Sequence, residues 1–397
     1  MDQPSVEIPR ATCRLFGTIR AIGTIRNAAI LVHGPRGCVY HINYILGMRG
    51  DRPSRITTTA LDEHDVVFGA ERKLTEAIET LDRDLSSDVI FVLSCCASGI
   101  IGEDVEGASR EARTRARVVS LSGGGFEGDH RAGTRETLAR LAEILVSPDT
   151  DVIPRSVNLI GLLRSGPDLA ELKRLLAAEG VRVTGVLTAG ATLPELEGLG
   201  RAALNVVLCE TTGREAAEVL ERRCGTPWIA VEFPIGREGT RRFLGQVTEA
   251  LGLSGQPAPA GTPERKGPRR KAARRVAVVG GPTRAVAVAR FLREAGNPPV
   301  LVAVEGDPES VRKVEEATGP GCVVLADPLQ EELTARLTDL AVDLLIGGMR
   351  ERPIAAMLAI DHVDVMHGSQ KTVGEQGGEL LLRALEKRGK TRPSDSG

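Results

Sequence analysis

Apolar residues fall into two alternating patterns along the 397-residue chain. Short unbroken runs have the length and β-branched content of buried strands; "AAILVH" (28–33), "VIFVLS" (89–94), "SVNLIGLL" (156–163), "VAVVGG" (276–281) and "LLIGG" (344–348) are examples. Between them lie longer segments in which apolar residues recur every three or four positions. Leu74, Ile78 and Leu81 in "GAERKLTEAIETLDRDL" mark one such helix face. Strands alternating with helices in this way fold as βα units around parallel sheets. The alternation restarts twice, which predicts three similar α/β domains over 1–150, 151–254 and 276–397. The segment between the last two, "SGQPAPAGTPERKGPRRKAARR", has no period, and seven of the twelve residues 264–275 are basic. Residues 255–275 therefore read as a linker, solvated in preference to one in contact with nucleic acid or an acidic partner. The closing "KTRPSDSG" reads as a frayed tail.

Composition removes several function classes. Hydrophobic residues make up 42% of the chain, as in packed globular proteins. The 51 basic and 53 acidic residues leave a formal charge of −2, and aromatics are only 3%, so neither nucleic acid nor membrane is an expected partner. No run approaches the roughly 18 apolar residues of a membrane span, and "MDQPSVEIPRATCRLFG" lacks a signal-peptide core. The expectation is a cytoplasmic protein. No G-x-x-x-x-G-K-[ST] occurs, so this chain is not expected to hydrolyse ATP through a P-loop. "VVGGPT" lacks G-x-G-x-x-G, and its glycines are assigned to a tight turn.

The cytoplasmic expectation changes how the seven cysteines read. Structural disulfides are disfavoured there, which leaves metal ligation, reactive thiols or plain burial. Cys38 ends "HGPRGC" just after one strand and Cys96 follows another, "DVIFVLS". Cys13 precedes the first apolar unit in "TCRLFGTIRAIG". In open parallel sheets functional groups gather beyond the carboxyl ends of strands. Soft thiolates without clustered His or Asp favour an iron–sulfur cluster over magnesium or catalytic zinc. Spacing adds nothing, because 24 residues between Cys13 and Cys38 and a further 58 positions to Cys96 fit no compact zinc or ferredoxin pattern. On these grounds alone metal binding and burial both stay open.

The same segments carry a family resemblance. Cys13 with its following "FG", "VHGPRGC", "TTALDEHDVVFGAERKLTEAI" and "CCASGIIGED" together resemble component 1 of nitrogenase and its relatives: molybdenum-iron protein subunits, assembly-scaffold paralogues and nitrogenase-like reductases. "SGGGFEGDHRAG" is similar to the family's G-F-x-G loop, and "LNVVLCETTGREAAEVLERRCGTPWIAVEFPIG" to its second domain. The resemblance covers residues 12 to 385 apart from the linker and implies three Rossmann-like α/β domains with mainly parallel sheets. It implies that Cys13, Cys38 and Cys96 ligate an iron–sulfur cluster, [4Fe-4S] or larger, at a subunit interface. Cys95 becomes an extra thiol assigned to packing, with an exchange of roles between the two neighbours left open. Cys209 matches the cysteine that binds a large iron–sulfur cofactor or its precursor. At the chain's end "GEQGG" (374–378) is preceded by Val373, where nitrogenase has a histidine ligand; His362 and His367 do not occupy that position.

The reading that follows is the electron-accepting component of a two-component reductase. A separate P-loop iron protein would use ATP and pass electrons to the interfacial cluster. A four-iron cubane needs four ligands, so three thiolates per chain imply a homodimer or a heterotetramer with a paralogous subunit. A tetrapyrrole, as in coenzyme F430 synthesis, is the candidate substrate, with Glu63, His64 and Asp65 as candidate proton donors or, alternatively, helix-capping residues. The alternative is a scaffold for iron–molybdenum cofactor assembly, which Cys13 and Cys209 favour. A second alternative is a non-catalytic α/β binding protein with buried cysteines.

Overall fold

The computed structural model describes residues 12–48, 55–148, 151–253, 274–367 and 370–387. It contains three sheets, and every paired strand in them is parallel. The expected α/β class with three sheets is therefore what the chain adopts.

The first sheet is built from α1 (Arg14–Ile22), β1 (Ala28–His33), α2 (Arg36–Met48), β2 (Arg55–Thr58), α3 (Glu63–Phe68), α4 (Glu71–Leu85), β3 (Val89–Ser94), α5 (Cys96–Ile100), α6 (Val105–Glu111), β4 (Arg117–Leu121) and α7 (His130–Ile144). Its strand order is β2-β1-β3-β4. All six residues of β1 are buried, because helices cover both faces of the sheet. Ile30, Val32, Phe91 and Leu93 point to one core with α1, α2 and α7, whereas Ala29, Leu31, Ile90 and Val92 meet Leu74 and Ile78 of α4 on the other. The strand and helix periods of the sequence thus close on each other.

The second sheet comprises β5 (Ile153–Ile160), β6 (Arg182–Leu187), β7 (Ala202–Val207) and β8 (Trp228–Ala230), in the order β6-β5-β7-β8. Ile160, Leu187 and Val207 share one apolar cluster with α1, α7 and the helix Glu210–Cys224. The described residues of 9–165 and 182–230 accordingly pack as one compact unit. Within it α1 and α7 approach through two glycines. A Cβ on Gly17 would fall on the carbonyl of His130, and one on Gly133 would fall on the carbonyl of Arg14.

The described residues of 166–181 and 231–397 form the other unit. Its sheet contains β9 (Val276–Gly280), β10 (Leu301–Val304), β11 (Val323–Ala326), β12 (Leu344–Gly347) and β13 (Asp361–Asp364), ordered β11-β10-β9-β12-β13. Most of the basic linker (254–273) and the tail (388–397) lie outside the described residues. Arg274, assigned to that linker from its composition, belongs to the folded unit. Its side chain is 3% exposed and pairs with Asp343 at 2.7 Å and Asp361 at 2.8 Å. It also donates to the carbonyls of Ala384 and Lys387. This guanidinium forms part of the lining of a cavity of about 600 Å³ beneath the amino ends of β12 and β13. Among the described residues no helix is long and apolar enough to cross a membrane.

Candidate functional site

Ligands in open α/β sheets bind outside the carboxyl ends of the strands, where the strand order reverses and adjacent connections leave in opposite directions. In the first sheet that point lies between β1 and β3. Gly34-Pro35 follows β1, and Cys38 stands in the first turn of α2. Cys95 follows β3, and Cys96 is the first residue of α5. Topology therefore brings together residues that sequence spacing leaves unrelated.

The two adjacent cysteines face different neighbours. Cys95 is 1% exposed, and its sulfur lies so close to Gly34 that a Cβ there would collide with it. Its thiol faces that of Cys38 closely enough for each to shift the other's ionisation. Ser98 accepts the Cys95 N–H at 2.9 Å and locks the turn. The Cys96 sulfur instead accepts the N–H of Gly125 at 3.1 Å. Gly125 also borders Cys13, since an added Cβ would lie 3.0 Å from Cys96 Sγ and 3.2 Å from Cys13 Cβ. Cys13 is exposed, caps α1 and forms an isolated bridge with Asp129 at the start of α7. Four thiols thus gather as two pairs, Cys38 with Cys95 and Cys13 with Cys96.

Their electrostatics follow from this grouping. Cys38 is pushed up by its hydrogen bond to Cys95, then by burial, then by repulsion from Cys95, Cys96 and Cys13. Cys95 is pulled well below the usual thiol range by the Cys38 hydrogen bond, and the amides of Ser98 and Ala97 add to this. Among the described residues no three His, Cys, Asp or Glu side chains are placed to hold a single metal ion. The donor set is soft sulfur, and an amide already points at one thiol, as in iron–sulfur sites whose sulfurs accept backbone N–H bonds.

Behind the cysteine loops lies a buried acid–imidazole pair that sequence reasoning did not single out. His33 Nε2 meets Glu103 Oε2 at 3.2 Å, with side chains 0% and 3% exposed. His33 Nδ1 contacts Thr59 Oγ1 at 3.0 Å, and the same hydroxyl accepts the Gly34 N–H at 3.2 Å. The other Glu103 oxygen accepts the Ala70 N–H at 2.6 Å.

The candidate proton donors lie on α3. Glu63 and His64 are exposed, and the imidazole packs against Phe68 with ring centroids 4.6 Å apart. Asp65 completes a capping box with Asp62 and pairs with Lys73 at 2.6 Å. Lys73 is the main cause holding its carboxyl below the usual range. Such a depressed carboxyl stabilises the fold above its unfolded value near about 3.9, and the gain is lost as pH falls through the folded value. Asp65→Ala is expected to lower stability by about 1 kcal/mol at neutral pH, with the difference from wild type shrinking below about pH 4 and bound iron unchanged. Urea titrations at several pH values check this. A loss of iron at unchanged stability would give Asp65 a chemical role instead.

The second sheet repeats the arrangement. Its order reverses between β5 and β7, where Gly161 (φ 85°) faces Cys209, and a Cβ on Gly161 would lie 2.9 Å from Cys209 N. Cys209 is half-buried and caps the helix Glu210–Cys224. Asn205, four residues earlier, is a core residue. Its carbonyl oxygen accepts from Asn158 at 2.8 Å and its amide donates to Thr226 O at 3.3 Å.

The third sheet reverses between β9 and β12, at Gly280-Gly281 and Gly347-Gly348. The sequence reading treated the first glycine pair as a turn and missed this crevice, although both pairs follow apolar strands. Arg350 there pairs with Glu305. The Met349 N–H donates to His367 Nδ1 at 3.3 Å, and His362 Nε2 donates to Gly348 O at 2.9 Å. Burial holds His362 below its ordinary value. Val373 is fully buried and caps the helix Gly374–Glu386, so no imidazole stands at that position.

Large apolar side chains stand exposed on elements that leave the first sheet beside the cysteines. They are Tyr40 and Tyr44 on α2, Val67 and Phe68 on α3, Ile100 on α5, and Phe126 next to Gly125. Phe68 and Phe126 are 74% and 78% exposed.

A family model described as nitrogenase component 1 type oxidoreductase matches residues 13–387. A nitrogenase iron-molybdenum cofactor biosynthesis protein NifE from Clostridium pasteurianum is 27% identical over 95% of this chain and 86% of its own length. A nitrogenase molybdenum-iron protein alpha chain from Methanosarcina barkeri is 28% identical over 60% of this chain and 47% of its own length. The solved structure "Nitrogenase Cp1 at pH 6.5" superposes with a TM-score of 0.82 at 22% identity, covering 97% of this chain and 93% of that one, a likeness of fold.

Proposed function

Because this chain belongs to the nitrogenase component 1 type oxidoreductases, we propose that it works as a scaffold on which a metallocofactor is assembled and passed on. The observation that carries the metallocluster reading is the gathering of Cys13, Cys38, Cys95 and Cys96 at the β1/β3 switch point, beside an exposed apolar face. Cys13, Cys38 and Cys96 would hold an iron–sulfur cluster that stores and relays single electrons. Gly125 would donate its N–H to the Cys96 sulfur, and Cys95 would support Cys38 from behind. A paralogous subunit or second copy would cover the apolar face and contribute the remaining ligand. Cys209, at the equivalent switch point of the second sheet, would hold the precursor of a larger iron–sulfur cofactor. ATP hydrolysis would reside in a separate iron protein.

Two observations favour the scaffold over the reductase. Relatives similar over 89–95% of the chain are named for cofactor biosynthesis, while a molybdenum-iron protein alpha chain from Methanothermobacter thermautotrophicus is similar over 85%. The buried Val373 also stands where the family's catalytic subunits are expected to offer histidine. A scaffold that lacks this second ligand releases its cargo more readily. The test is anaerobic incubation of the iron-loaded protein, with its partner subunit, beside an acceptor lacking its cofactor. Metal should move to the acceptor from wild type and not from Cys209→Ala. ATP-dependent reduction of a substrate with added iron protein, without transfer, would establish the reductase reading instead.

A further inference from the structure

We propose that Glu103 is a positioning residue that fixes the spacing of the two cysteine-bearing loops and ties both to the α3–α4 junction. Its carboxylate sits where three segments converge. Oε2 takes the Nε2–H of His33, at the end of β1 on the path to Cys38. Oε1 takes the Ala70 N–H, just past the apolar tip of α3. Its own N–H donates to Ser98 O at 3.2 Å, so the residue is anchored to the turn that carries Cys95 and Cys96. A carboxylate only accepts, so the ring proton facing it lies on Nε2. In the neutral ring Nδ1 then accepts the Thr59 hydroxyl hydrogen, and that hydroxyl accepts from Gly34. Thr58 completes the clamp by donating to Gly34 O at 2.6 Å. Gly34 is the residue that closes over the Cys95 sulfur. The chain of bonds from Ala70 through Glu103, His33 and Thr59 to Gly34 therefore sets how tightly Cys95 is covered and how far Cys38 stands from it.

Only the iron arm of the test depends on the cluster reading. In the metal-free chain, alkylation of Cys95 mapped by mass spectrometry should be at least about fivefold faster in Glu103→Ala than in wild type. Iron kept under chelator challenge should fall about tenfold, the effect of losing an outer partner of a metal ligand. Glu103→Gln should stay close to wild type in both. Its carbonyl still accepts from Ala70, and its amide can donate to His33 once the ring proton moves to Nδ1. ¹⁵N NMR of His33 should report that exchange of protonated nitrogen. Unchanged alkylation and iron in folded Glu103→Ala would overturn the proposal, as would a glutamine variant as impaired as alanine. Should alanine fail to fold, a glutamine variant with an unchanged His33 tautomer overturns it. A wild-type chain that binds no iron defeats the cluster reading and leaves the alkylation arm to decide Glu103.

Discussion

Cys96→Ala is expected to strip the protein of nearly all its iron, whereas Cys95→Ala, which loses only an outer partner of Cys38, still loads iron and keeps about tenfold less of it under chelator challenge. Removing a ligand should exceed the roughly 10–100-fold that losing an outer partner costs in affinity. The two side chains are neighbours in sequence but turn to different surroundings. Cys96 accepts the Gly125 N–H beside Cys13, on the side that opens to solvent. Cys95 is enclosed by Gly34, Ser98 and Cys38. Truncating it removes one buried heavy atom, worth about 1 kcal/mol, and its contact with the Cys38 thiol. Anaerobic iron and sulfide analysis with EPR of both variants separates the roles. Equal loss in Cys95→Ala would make Cys95 a ligand and reverse the assignment.

Gly17→Ala is expected to destabilise the protein by about 3 kcal/mol and to release iron as well. Alanine favours a helix over glycine by about 1 kcal/mol, but here its methyl would fall on the His130 carbonyl, a backbone atom that cannot rotate away. The helices would have to part. Their separation breaks the bond from Thr134 Oγ1 to Gly17 O at 3.1 Å and the Thr137–Thr18 hydroxyl pair at 3.1 Å. Cys13 caps α1 and is bridged to Asp129, so the same shift moves it away from Gly125 and Cys96. Gly245→Ala, inside the helix Gly236–Ala250 with nothing near the new methyl, is the control and should stabilise by about 0.5–1 kcal/mol. Urea unfolding and iron content are the readouts. Gly17→Ala as stable as its control would refute the close helix contact.

The buried elements were legible in the sequence because burial on both faces leaves apolar runs. β1, β3, β5, β9 and β12 all read directly from such runs. β2 "RITT" and β13 "DHVD" did not, because each lies at a sheet edge where polar residues remain partly exposed. At the site, residue type pointed to soft-metal chemistry and the family resemblance selected Cys13, Cys38 and Cys96. Nothing in the spacing placed Cys95 against Gly34, or Glu103 between His33 and Ala70. Those contacts arise from crossovers that bring residues 33, 59, 70 and 103 together through three separate connections. Asp65 illustrates the opposite case, since an acidic residue beside a helix start is as readily a cap as a proton donor.

The strand orders of the three sheets have a consequence for how such proteins change over time. Cys96, Cys209 and Met349 each stand two residues beyond the strand flanking the reversal in their own sheet. Each of these side chains is thus placed by its distance from a strand end rather than by the number of residues that separate it from the next. Connections can lengthen or shrink by tens of residues without moving any of these positions. Related chains that differ in loop length are therefore better aligned by their strand ends than by the interval between their cysteines.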